Sequence, residues 1–361
     1  MIKNQQLSSY QLCLAIVAFI FGSVAIFSPV LSAQQDAWLA HVIGWGGGFL
    51  LISLYAGIAL LNPNMTLIDV LKSHFGEYLG SIIGLLYVWY GLHIASLILH
   101  SFSEFMVSVN YTETPTVFIV ISVLIPIFYG LRKGLEVCIR VNQMSMIFLV
   151  ATLLLTILLS IPLFDLGHLL PFLEFGFKPI LKGGLHLTAF PFGETVLLLM
   201  IFPCLKKQKD LLKISNLAVF IAGLLLLLNL LKDLLILGPD IMSRHLFPTY
   251  MSVSMIPQAV LEPIVSANLL ISSGFQALLC IFAALVGIAQ IFGLDDYKPL
   301  VLPVVAFVAS LSFWVHESYP EAFTWSVKYW TIYSIPFQLI IPVILFGLSL
   351  IKKNKKWTVN T

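Results

Sequence analysis

The sequence predicts an all-α polytopic membrane protein of about ten transmembrane helices in a five-plus-five inverted repeat, with helices 1 and 6 broken near mid-membrane. Three observations lead there. Hydrophobic residues fill 59% of the 361 positions and charged residues only 10%, whereas a soluble domain carries about 25% charge. Apolar stretches long enough to cross about 30 Å of hydrocarbon recur along the whole chain. Two of them, Ser9–Leu31 and Gly183–Leu205, carry helix-breaking residues near their midpoints. A helix broken at that depth strands polar backbone in oil, so the break must face protein, water or a ligand.

Spans are expected at 10–31, 38–61, 79–105, 114–130, 139–163, 183–205, 212–238, 264–292, 299–315 and 329–351. The first is read as a retained span, because one lysine and a long apolar stretch do not make a cleaved leader. With the N-terminus inside, fourteen Lys/Arg residues fall on the cytoplasmic side. Four (Lys178, Lys182, Arg244 and Lys328) fall outside, and Lys232 lies within span 7. The positive-inside rule therefore puts both termini in the cytoplasm. Removing one span would place Lys206–Lys213 and Lys352–Lys356 on opposite sides, which favours ten. The chain is read as a single transmembrane domain, 1–361, with repeat 1 at about 10–163, an outer connector at 164–182 and repeat 2 at about 183–351. The halves share no visible residue-level similarity; the repeat rests on span count and on the matched breaks.

Span 1 breaks around Gly22, Ser23, Ser28 and Pro29. In span 3, His93, Ser96, His100, Ser103 and Glu104 share one face, which should look into the bundle or a cavity. Interhelical hydrogen bonding and contact with a solute or proton both account for that stripe. A metal does not, because His93 and His100 lie about 10.5 Å apart along the axis. The connector 164–182 reads as a short surface helix with turns.

Span 6 breaks at Phe190, Pro191, Phe192 and Gly193, and Glu194 follows directly. An acid at that depth must be protonated, paired or hydrated. Glu194 is thus a polar ligand for a bound amine, a gate or proton group, or the structural partner of a span 3 histidine. Lys232 and Asp233 in span 7 read as structural, the lysine snorkelling to the outer interface. The loop 239–263 is either a cover for the outer vestibule or an interfacial connector. Ser272, Ser273, Gln276 and Cys280 repeat in span 8 the single polar face of span 3, and helix packing explains them as readily as solute contact.

Other chemistries find no support. There is no Walker loop, nucleophile elbow or HExxH, so no enzyme and no cofactor are expected. The four cysteines form no CxxC pair, and neither a disulfide nor a metal cluster is expected. A net charge of +2, spread over membrane-flanking clusters, argues against a nucleic-acid partner.

Several segments carry a family resemblance: LSSYQLCLAIVAFIFGSVAIFSP at the start, QDAW at Gln35–Trp38, GLRKGLEVCIRV at Gly130–Val141, LLPFLEFGFKPILKG at Leu169–Gly183, FPFGE at Phe190–Glu194 and GLDDYKPLVLP at Gly293–Pro303. Over nearly its whole length the chain resembles the B subunit of spore germinant receptors, the endospore germination permeases. That family is similar in fold to the amino acid–polyamine–organocation (APC) transporters.

The resemblance implies a nutrient sensor in the inner membrane of the bacterial spore, beside an A subunit and a C lipoprotein subunit. It also implies that Gly22 and Ser23 match the unwound part of helix 1, and Phe190–Glu194 that of helix 6. Amides at a half-helix N-terminus favour a carboxylate, and freed carbonyls favour an ammonium, so an amino acid or similar small solute satisfies both. The expected ligand-binding residues are Gly22, Ser23, His93, Phe190, Phe192, Gly193, Glu194, Ser273 and Gln276. Proton-coupled relatives can carry a lysine on helix 5; here Val141–Pro162 has no ionisable residue, so ion coupling is not expected, although Ser272 and Ser273 leave hydroxyls for a sodium ion. A secondary amino acid transporter and a non-binding scaffold subunit are the alternative readings.

Overall fold

A computed structural model describes residues 5–24, 29–257 and 260–359, without the side chains of 23–24 and 354–359. The helices are α1 (Ser9–Val24), α2 (Ala37–Leu61), α3 (Leu67–Phe75), α4 (Glu77–Val109), α5 (Thr116–Lys133), α6 (Leu135–Ser160) and α7 (Phe177–Leu187). There follow α8 (Leu211–Arg244), α9 (Pro248–Ser254), α10 (Glu262–Ile291), α11 (Val301–Trp314), α12 (Tyr319–Lys328), α13 (Trp330–Ile335) and α14 (Ile341–Val359).

Among the described residues, eight helical stretches are long and apolar enough to cross a membrane, and nine if the bent pair α11–α12 is one span. Two differences from the expected ten follow. The first expected span is described only as the short helix α1, which stops at Val24 ahead of residues 25–28, outside the described ones. Span 9 does not stop at 315: the chain turns through 94° and continues as α12, which sequence periodicity did not suggest.

Burial separates core from rim. In the hydropathic windows of the span 6 stretch (Phe177–Met200) and of α10, 83% of residues are buried, against 33% for α5, α6 and span 10. Without water to drive burial, the central helices associate through packing and interhelical hydrogen bonds, and the rim helices expose their apolar sides to lipid. Helix α1 lies inside, with Ala15 to Ile20 no more than 1% exposed. Its start is tied to the end of span 6 by backbone pairing: Leu7 N donates to Cys204 O (2.8 Å) and Lys206 N to Leu7 O (3.0 Å).

Local chemistry sets the connections. Helix α3 opens on a Thr66/Asp69 capping box, and Gly76, at φ +83°, turns the chain from α3 into α4. The short helices α3 and α9 precede α4 and α10 respectively.

The segments that carried the resemblance meet in space. Gln35 Nε2 donates to Pro171 O and to Glu174 Oε2, both at 2.9 Å, and Asp36 accepts from Leu173 N (3.1 Å). Tyr297 donates to Leu131 O (3.1 Å), and burial pushes its phenol up to about 12, so it remains a donor. The connector is shorter than expected, because Phe177–Lys182 already belongs to α7 and the rest holds one short 3-10 turn, Leu166–Leu169.

Candidate solute-binding site

The site is built on the break in span 6. Pro191 has no N–H to donate, and Phe190 leaves helical geometry at φ −137°, ψ 113°. The chain loosens into a π turn at Thr188–Phe192 and a 3-10 stretch at Gly193–Met200. Each carbonyl freed there must find a donor, because lipid offers none.

Side chains supply them. Gln338 Nε2 donates to Ala189 O (2.8 Å), Thr195 Oγ1 to Phe192 O (2.6 Å), and Tyr55 Oη reaches Gly193 O (3.2 Å) and Gln338 O (2.7 Å). Gln338 Nε2 also reaches Tyr90 Oη (2.7 Å), so α2, α4 and the π turn that joins α13 to α14 clamp the break.

Gly22 and Ser23, expected in an unwound part of span 1, still belong to the helix α1, which runs to Val24; near that end Gly22 O accepts from Ser273 Oγ (3.1 Å) on α10. A Cβ on Gly22 would stand 2.8 Å from Gln276 Cβ and 3.0 Å from Ser272 O, closer than real Cβ atoms pack, so the α1–α10 crossing requires glycine. One on Gly193 would run into the Gln338 amide. Gln276 Nε2 donates to Glu194 Oε2 (2.9 Å), and both residues are essentially inaccessible. The Gln276 amide oxygen, also buried, has no hydrogen-bond partner among the described residues.

Beside that carboxylate lies a cavity of about 70 Å³. Its walls are the α4 side chains Ile94, Leu97 and Ile98, Phe190 at the break, and residues of α12 with Trp330. Apolar walls around one carboxyl group are the composition of a small-molecule site.

The comparisons with known proteins agree with this geometry. The family model described as spore germination protein, the spore permeases, matches residues 6–320. The chain belongs to this family. It is 28% identical over 362 residues to spore germination protein KB of Bacillus subtilis (strain 168), covering 98% of this chain and 97% of that protein. The family comprises germination permeases of the receptor B-subunit type, not enzymes.

Among solved structures, Mhp1, a nucleobase-cation-symport-1 family transporter in a closed conformation with bromovinylhydantoin, superposes with a TM-score of 0.71 at 11% identity, covering 95% of this chain and 78% of that one. MhsT in complex with L-phenylalanine gives 0.63 at 12%, covering 96% and 99%. The spore permease chain is thus an integral membrane protein with the fold of the APC (LeuT-like) transporters.

Within that fold Gly22, Ser273, Gln276, Gly193 and Glu194 converge, and Phe190 lines the cavity. His93 does not join them. Its Nδ1 lies 3.1 Å from Tyr333 Oη and its ring stacks on Trp89, so it stands behind the cavity wall, against Trp325. Phe192 points away from the cavity, against Gly48. The Ser23 side chain and Ser28 lie outside the described residues.

The partner of Glu194 is Gln276 and not a span 3 histidine; His100 instead faces Ser312 O at 3.1 Å. Ser96 and Ser103 bond back to carbonyls of their own helix. Lys232 does not snorkel. It is 1% exposed and paired with Asp233 (3.0 Å), whose carboxylate also accepts from Thr249 and Ser252, both at 2.6 Å. The loop 239–263 seats α9 on that pair, and it is α12 that lies over the cavity.

Sequence reasoning missed Tyr55, Tyr90 and Gln338. The signal for Gln338 was available, an amide two residues after Pro336 in an otherwise apolar span.

Proposed function

We propose that this chain is the nutrient-sensing B subunit of a spore germination receptor. It sits in the inner membrane of the spore with both termini in the cytoplasm, and binds an amino acid or similar small solute at mid-membrane, between spans 1, 3, 6 and 8. An A subunit and a C lipoprotein subunit receive the signal. The inverted repeat, 10–163 against 183–351, is supported by the placement of α3 before α4 and α9 before α10.

One observation carries the reading: a buried carboxylate at the break in span 6, held by Gln276 of α10 and beside a cavity. An unmatched carboxylate in a low-dielectric site is costly, and a proton or a bound cation completes it. A solute that binds better in one arrangement of the breaks shifts the protein toward it, and by no more than its differential affinity. Partner subunits then convert the shift into germination.

A second reading, secondary transport of the solute, is favoured by the open polar hollow of about 1180 Å³ at the other end of the bundle, which Thr66, Asp69, Lys72, Lys206 and Gln290 help to line. Labelled amino acids offered to proteoliposomes containing the full chain separate the readings. Saturable binding without uptake supports the sensor, concentrative uptake supports the transporter, and neither supports a scaffold subunit.

A further inference from the structure

Helix α7, the outer arm of span 6, turns two rows of side chains away from the protein. Its inner side, with Ile180, Gly183, Gly184 and Leu187, is buried, and a Cβ on Gly184 would stand 2.9 Å from Ile43 Cβ of α2. On the opposite side Phe177, Leu181 and Leu185 are exposed, one helical turn apart, and Lys178 and Lys182 form a second exposed row beside them. These lysines are two of the four Lys/Arg residues read on the outer side. Like charges four residues apart on a helix repel. Among the described residues neither lysine side chain has an ion pair or a hydrogen bond. The acids of the adjoining segments are engaged elsewhere: Glu174 accepts from Gln35, and Asp36 from Leu173 N.

Aromatic rings set the depth of the lysines. Trp38, at the start of α2, packs against Phe172 (centroids 6.5 Å apart), and Phe175 and Phe177 are exposed further along the same connector. Tryptophan collects at the headgroup level of a bilayer, which puts the start of α7 at the interface. Lys182 then lies about 6 Å and Leu185 about 10.5 Å further in than Lys178 along the helix axis. We propose that this face of α7 holds one anionic phospholipid. Its phosphate lies between the Lys178 and Lys182 ammonium groups, and an acyl chain runs inward over Leu181 and Leu185. In the orientation proposed above the lipid belongs to the outer leaflet; reversing the orientation changes the leaflet and leaves the site as it is.

Charge and shape select this ligand together. Two unpaired ammonium groups at the edge of hydrocarbon are costly, and a phosphate shared between them replaces their repulsion by two charge-assisted hydrogen bonds. A zwitterionic phospholipid carries its own cation, which competes with the lysines for the phosphate, so an anionic headgroup is preferred. A soluble phosphate makes no use of the apolar row. Helix α7 runs directly into the π turn at Thr188–Phe192, so a lipid held here bears on the outer arm of the broken span.

The test is native mass spectrometry of the full chain in detergent, titrated with phosphatidylglycerol, phosphatidylcholine or glycerol phosphate. The wild-type chain should bind its first phosphatidylglycerol more tightly than its first phosphatidylcholine, and glycerol phosphate weakly. A lysine beside an anionic headgroup is worth about fivefold in affinity, so Lys178→Gln with Lys182→Gln should weaken the first phosphatidylglycerol about 25-fold and leave phosphatidylcholine unchanged. Both side chains are exposed, so Tm in phosphatidylcholine nanodiscs should hold. Lys178→Arg with Lys182→Arg keeps the charge and should keep the lipid, as should Lys207→Gln with Lys209→Gln, just beyond the cytoplasmic end of the same span. A glutamine variant of α7 with wild-type affinity overturns the site, as does loss of the lipid from the Lys207/Lys209 variant. A wild-type chain without preference for phosphatidylglycerol overturns the anionic headgroup, and glycerol phosphate bound as tightly as the lipid overturns the acyl-chain contact.

Discussion

At the scale of single residues, the site depends on two glycines and one acid. A side chain at Gly22 must displace Gln276, which holds Glu194, and one at Gly193 must displace Gln338, which satisfies Ala189 O. Gly22→Val and Gly193→Val should therefore each cost about 1–3 kcal/mol through overpacking. Both should abolish the nutrient response while the protein still accumulates. Spores of either variant, checked for protein by immunoblot, should fail to germinate; normal germination in both would refute the site. Glu194 was legible in the sequence because an acid beside a broken apolar span has few explanations. Its neighbours were less so: a helical wheel says which face His93 and Gln276 occupy but not which residue on the opposing helix stands at the same depth. Gln276 reaches Glu194, whereas His93, one helix away, is taken up by Trp89, Trp325 and Tyr333.

At the scale of elements, the breaks were legible, since Pro191 and the surrounding glycine and aromatics interrupt a span that is otherwise apolar. What the broken backbone bonds to was not, because the donors Tyr55, Thr195 and Gln338 come from three separate stretches of chain. The Lys232–Asp233 pair teaches the same lesson. By position it lies near the end of span 7, where lysine reaches water, yet Gly238 (φ +72°) breaks α8 just beyond and α9 folds back over it. Removing only the acid leaves a buried ammonium uncompensated, so Asp233→Leu should destabilise the protein by about 3–5 kcal/mol. The double variant Lys232→Met with Asp233→Leu should recover most of that loss. Thermal unfolding of the three proteins in nanodiscs checks this, and a double variant no more stable than Asp233→Leu would contradict it.

At the scale of the whole molecule, composition and Lys/Arg placement suffice for a polytopic α-helical protein but not for its bends. Span 9 reads as a straight apolar run because its turn at 315–318 contains no proline or glycine, and α12, with a tyrosine, a proline, a serine and two charged residues, resembles a surface loop. That region closes the cavity. The proposed orientation predicts that single cysteines placed in 206–209 and at 352 react with an impermeant thiol reagent only in inverted vesicles; labelling of either in right-side-out vesicles would reverse the topology.

The central claim, that the carboxylate at the break in span 6 reads out a nutrient, is tested most directly by germination of spores carrying Glu194→Gln. A panel of single amino acids and sugars is applied, with subunit levels held equal to wild type. The account predicts loss of the response, or a changed nutrient preference, at normal protein level. An unchanged response to every nutrient would contradict it and leave Glu194 as a packing partner of Gln276.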